Sequence, residues 1–84
     1  MQYAKFSKVF DSLKDYKHLS WDESNHSLSL CDGYTYVSIT YSPEDNNFHI
    51  EWKEPDVIVY EIVTSVEEMI VYIISALRYM EYLF

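Results

Sequence analysis

Two clusters of turn residues, Asp32-Gly33 and Ser42-Pro43-Glu44-Asp45-Asn46-Asn47, divide residues 28–52 into three segments that alternate apolar and polar side chains. No other feature constrains the fold as much, because a period of two belongs to half-buried strands. Asp-Gly is a preferred two-residue type I′ turn. Closing it pairs Cys31 with Tyr34, Leu30 with Thr35 and Leu28 with Val37. The second loop, rich in turn formers, pairs Tyr41 with Phe48, Ile39 with Ile50 and Val37 with Trp52. Both registers place Leu28, Leu30, Val37, Ile39, Tyr41, Phe48, Ile50 and Trp52 on one face. A slip of one residue in either hairpin would destroy that agreement. The expectation is an antiparallel meander.

Elements on either side extend it. The turn at Glu54-Pro55-Asp56 opens a strand over 57–63, expected to send Ile58, Tyr60 and Ile62 to the buried face and Val57, Val59, Glu61 and Val63 away from it. A short first strand is expected near Leu19 and Trp21, inside the polar connection 17–25. Over residues 2–16, Tyr3, Phe6, Phe10 and Leu13 fall at spacings of three and four, with Val9 beside them and Lys5, Lys8, Ser12 and Asp15 opposite, which predicts an amphipathic helix. Ser65-Val66-Glu67-Glu68 is a capping box whose acids also suit the positive end of a helix dipole. Behind it, Met69, Ile70, Ile73, Ile74, Leu77, Met80 and Phe84 form a wide apolar stripe, with Val71, Tyr72, Tyr79 and Tyr82 partly outside it. The expected fold class is α+β: an N-terminal helix, an antiparallel meander of three to five strands and a C-terminal helix, with both helices on one sheet face, in a single domain over 1–84.

Composition narrows the function. Apolar residues are 49% of the 84, enough for one compact core and too many for a disordered chain. Cys31 is the only cysteine, so no intramolecular disulfide and no cysteine-based metal site can form. The first residues mix charges and lack a signal-peptide core, and the apolar stretch Val66–Phe84 is too short and too interrupted by charge to span a bilayer. The expected location is cytoplasmic. Charge is uneven: residues 1–18 hold four lysines against two aspartates (net +2), while residues 19–84 hold twelve acids against Lys53 and Arg78 (net −10). Such a field repels nucleic acid and anionic membrane and attracts basic proteins. The same charge also serves solubility.

Candidates for chemistry are few. His18, Asp22 and His26 recur every four residues, but in a loop-like segment where that spacing brings no ligands together. His49 reads as an exposed cross-strand neighbour of Thr40, and Cys31 as an inert thiol. The chain has no phosphate-cradling glycine loop, no nucleophile elbow and no basic run. No catalytic residue, cofactor or metal is expected, and the protein reads as no enzyme.

The face opposite the helices carries the functional expectation. On these registers it shows Tyr34 and Tyr36, three valines and the acids Glu51 and Glu61, an apolar and aromatic patch rimmed by charge. Asp22-Glu23, Glu44-Asp45 and Glu54/Asp56 supply acids in the connections. Carboxylates on a lattice of strands about 4.8 Å apart approximate the spacing of duplex phosphates. In size, charge and element order, from about Tyr3 to Tyr82, the chain resembles small acidic phage-encoded inhibitors, including anti-CRISPR and DNA-mimic proteins; it is richer in Tyr and its first helix bears lysines. The resemblance implies a binding inhibitor that fills a basic nucleic-acid-binding cleft of a host defence or DNA-processing protein. Asp22, Glu23, Glu44, Asp45, Glu51, Glu54, Asp56 and Glu61 would meet that cleft, with Tyr34 and Tyr36 as anchors. The alternative is an immunity protein, a small chaperone or a homodimeric module in which the tyrosines and valines dominate.

Overall fold

The two hairpins, the turn at Pro55 and the capping box together produce the architecture. The computed structural model describes residues 2–80, and side chains for 4–80. Its elements are α1 (Gln2–Leu13), β1 (Leu19–Asp22), β2 (Ser27–Cys31), β3 (Tyr36–Ser42), β4 (Asn47–Glu54), β5 (Val57–Val63) and α2 (Val66–Tyr79). The strands form one antiparallel sheet in the order β1-β2-β3-β4-β5, with every neighbour joined by its own short connection. The fold is α+β, and the sequence-predicted short first strand is β1.

Both helices lie on one face of the sheet. From α1, Phe6 is fully buried and sits 5.4 Å, centroid to centroid, from both Trp21 of β1 and Phe48 of β4. Phe10 stacks on Trp21 at 4.6 Å. From α2, Val66, Met69, Ile73, Ala76 and Leu77 are buried in the same core as Leu28, Leu30, Val37, Ile39, Phe48 and Ile50. Burying a side chain of this size contributes about 1.5–3 kcal/mol, which makes the meander's apolar face the main source of stability. Ser65 caps α2: its hydroxyl accepts from the Glu68 N–H at 3.2 Å, while the Glu68 carboxylate accepts from the hydroxyls of Thr64 and Ser65. Ile74, placed in the apolar stripe by spacing, is 37% exposed at its margin, and Val71 and Tyr79 lie outside the stripe as expected. Tyr82 and Phe84 lie outside the described residues.

Three local expectations are corrected. The helix α1 stops at Leu13 rather than residue 16, where the Tyr16 N–H bonds the Leu13 carbonyl and the Tyr16 ring folds into the core. The β2–β3 connection is not a type I′ turn. That turn needs positive φ at both central residues, yet of Asp32 and Gly33 only Gly33 adopts it, at 93°. Asp32 instead accepts from the N–H groups of Tyr34 (2.9 Å) and Thr35 (2.7 Å), building a longer loop. Cys31 therefore pairs with Tyr36, Leu30 with Val37 and Leu28 with Ile39. The displacement is two residues, so every side chain keeps its face. The second hairpin has the expected pairs, Tyr41 with Phe48, Ile39 with Ile50 and Val37 with Trp52.

The third correction concerns β5. Pro55 and Asp56 alone form its turn, so Glu54 pairs with Val57, Trp52 with Val59, Ile50 with Glu61 and Phe48 with Val63. Val57, Val59, Glu61 and Val63 thus share the helix side, while Ile58, Tyr60 and Ile62 share the open side with His49, Glu51 and Lys53.

Candidate interaction surface

The face without helices divides into a hydroxyl-rich half and an apolar edge. On β2 and β3, Ser27 shares a hydrogen bond with Thr40 at 3.0 Å and lies 3.5 Å from Ser38, and Ser29 lies 3.5 Å from the Tyr36 phenol. These groups satisfy one another across the strands. Tyr36 is half-buried beneath the Lys53 ammonium, 5.7 Å above its ring, and Lys53 pairs with Glu51 at 3.3 Å. Tyr36 and Glu51 therefore share the open face, as expected, but each already has the same cation for a neighbour.

Next to them His49 links two strands and a turn. Its Nδ1 hydrogen-bonds the Tyr60 phenol, and its Nε2 lies 3.3 Å from Asp45 Oδ2. The three sit at a shallow depression bordered by Ser38, Thr40, Ser42 and Glu51. Desolvation works to raise the Asp45 pKa. Bonds from the Ser42 hydroxyl, the Asn47 N–H and His49 outweigh it and hold the carboxyl below its ordinary range. Asp45 is thus a fixed anion at neutral pH. The depression offers hydrogen-bonding groups on an open surface.

The other acids fall into separate places, because successive meander turns alternate between the ends of the sheet. Asp22 at the end of β1 and Glu23 in the β1–β2 turn share one end with Glu44 and Asp45 in the β3–β4 turn, two strands away and so about 10 Å off. Asp22 is engaged locally: the Asn25 side chain and the Ser24 hydroxyl bond it and lower its pKa. Glu54 and Asp56 lie at the opposite end, with Tyr34 exposed in the β2–β3 loop there. Glu54 points to the helix side, where its carboxylate accepts from Trp52 Nε1 at 2.9 Å and from the Tyr79 phenol at 3.3 Å. That carboxylate, through its charge first, raises the Tyr79 pKa. Glu61 is likewise on the helix side. The sheet brings Asp22, Glu23, Glu44, Asp45 and Glu51 toward one end and the open face, and it separates Glu54, Asp56 and Glu61 from them.

Spacing alone missed the strongest surface feature, which is β5 itself. It is an outer strand, and Val57, Ile58, Val59, Tyr60 and Ile62 are between 41% and 71% exposed. On its helix side a groove runs between β5 and α2, lined by Trp52, Glu54, Val57, Val59, Tyr72 and Ser75. The signal was present in the chain: six of the seven residues of V-I-V-Y-E-I-V are apolar or aromatic, whereas a strand with one solvated face alternates.

Among the described residues no group of three His, Cys, Asp or Glu side chains could hold a metal ion, and no helix is long and apolar enough to cross a membrane. No protein-family model, curated protein or solved structure matches the chain.

Proposed function

We propose that this protein is a non-catalytic binding inhibitor that acts by occupancy, setting its acidic sheet end and open face against a basic, nucleic-acid-binding surface of another protein. The observation that carries this reading is the concentration of acids at the sheet end formed by the β1–β2 and β3–β4 turns. Lys5, Lys8 and Lys14 are exposed on or just beyond α1, interspersed with Asp11 and Asp15. Glu23, Glu44, Asp45 and Glu51 lie at the turns and on the uncovered face. A molecule whose acids gather at one sheet end approaches a basic surface with that end leading, and the association slows as salt screens it. The site is smaller than the sequence alone implies, since Glu54 and Glu61 are turned to the helices.

The test is displacement of DNA-binding proteins from DNA–cellulose by the purified protein. Glu23 and Glu44 are exposed and neither side chain holds a turn together, so E23K/E44K reverses charge without removing a structural bond. Release by the wild type at low salt, lost in the variant and at high salt, supports the reading. Equal release by both proteins contradicts it.

A further inference from the structure

We infer that β5 is a self-pairing edge, on which a second copy of this chain adds its own β5 antiparallel about a two-fold axis at Tyr60, giving a continuous ten-stranded sheet.

Four observations converge on a second copy as the occupant. First, the two outer edges of the sheet differ. The β1 edge spans only Leu19–Asp22 and carries Ser20 and Asp22, while β5 runs the full seven residues from Val57 to Val63 without a proline or lysine and with Glu61 as its one charge. Natural sheets blunt exposed edges with short strands, prolines and charges, and this edge has almost none of those devices. Secondly, the strand exposes apolar side chains on both faces, with Ile58 71% and Tyr60 58% exposed on the open side and Val57 50% and Val59 41% exposed beside α2 on the other.

Thirdly, the strand reads almost the same in both directions. About Tyr60, Val57 answers Val63 and Ile58 answers Ile62; only Val59 and Glu61 differ. A two-fold axis makes an interface isologous, each residue meeting its mirror position on the second copy. In this register Ile58 meets Ile62 of the second copy and Tyr60 meets Tyr60, all on the open face. Glu61 lies opposite Val59, which avoids placing the two carboxylates directly across from each other.

Fourthly, charge and area fit a copy better than a basic partner. The apolar strand offers a cation one carboxylate, while the acids that would attract it lie in the turns and on the rest of the open face. Five side chains about half exposed, with the strand backbone, present on the order of 500 Å² per chain, so about 1,000 Å² in all, the lower bound for a specific interface. The dimer is therefore of modest affinity. Its two open faces lie on the same side, which doubles the acidic surface without using it.

The pairing does not depend on the inhibitor reading, and salt separates the two. Each chain carries a net charge of −8, so screening strengthens self-association and weakens capture of a basic partner. Sedimentation velocity on the full chain over a wide concentration range, at low and high NaCl, tests it. The expected result is a monomer–dimer equilibrium whose dimer fraction rises with concentration and with salt. I58K sets a cation against Ile62 of the second copy and is expected to weaken the dimer at least tenfold. V59K sets it opposite Glu61 of the second copy, twice per dimer, and is expected to tighten it several-fold. Both positions are exposed, and unchanged circular dichroism in each variant would establish that folding is intact. A monomer under all conditions, or equal weakening by I58K and V59K, overturns the proposal.

Discussion

Glu54 faces Val57 across the Pro55–Asp56 turn, and this one pairing decides where every later side chain of β5 points. An even-numbered loop joins two strands with their faces in phase, so the carboxylate that bonds Trp52 and Tyr79 on the helix side puts Val57 there too. Val63 then closes the core and Ile62 looks out.

This orientation has a direct energetic consequence. Val63 is 5% exposed and Ile62 50%. At about 0.8 kcal/mol for each buried CH₂, with a cavity term added, V63A is expected to cost about 2 kcal/mol, whereas I62A is expected to cost less than about 1 kcal/mol. Urea unfolding of the two variants checks the order, which the opposite register would reverse.

Phe6 couples α1 to β1 and β4 through Trp21 and Phe48. Its replacement by alanine is expected to cost about 3–5 kcal/mol. Because a domain of this kind has a total stability of about 5–15 kcal/mol, F6A should be largely unfolded on mild warming, with F6L intermediate. Thermal melts followed by circular dichroism read the difference.

Thr35 is fully buried in the β2–β3 loop, and its hydroxyl oxygen has no hydrogen-bond partner among the described residues. Burying such a group without compensation costs about 1–3 kcal/mol. T35V keeps the shape and removes the hydroxyl, so it is expected to stabilise the domain by about 1 kcal/mol. A lower midpoint in urea would contradict this.

The turns confer a pH dependence whose sign follows from three carboxylates. Asp22, Asp32 and Asp45 all have pKa values below the ordinary range: Asn25 and Ser24 lower the first, and the Thr35 and Tyr34 N–H groups the second. For the third, desolvation works upward and is outweighed by Ser42, Asn47 and His49. A depressed folded pKa means stability that is present above the unfolded value of about 3.9 and is lost as pH falls through the folded value. Stability from these groups should be flat from pH 5 to 8 and decline below about pH 4. Asp32→Asn should flatten the β2–β3 loop's share of that decline, read as the pH dependence of its amide shifts.

How far the fold was legible follows from these particulars. The meander's core face could be read because two turns specified it independently, and an error of two residues at Asp32 left all faces in place. The face of β5 could not be read by alternation, since Val57 to Val63 are apolar at almost every position and the period of two vanishes. Only the length of the Pro55 turn settles it. The candidate site was legible as a list of exposed acids, because turn carboxylates are normally solvated. Their grouping was not, because Glu54 was read as part of a solvated turn, whereas β4 runs through it and its side chain follows Trp52 to the helix side, and Glu61 followed the register of β5.

If β5 is an unfinished edge, its outward-facing amides report it. Amide hydrogen exchange along Val57–Val63, at dilute and at high protein concentration, tests it most directly. The alternate amides not bonded to β4 are expected to exchange fast when dilute and to gain protection as concentration and salt increase. If those amides stay equally fast at every concentration while the protein associates, the edge is not where it binds.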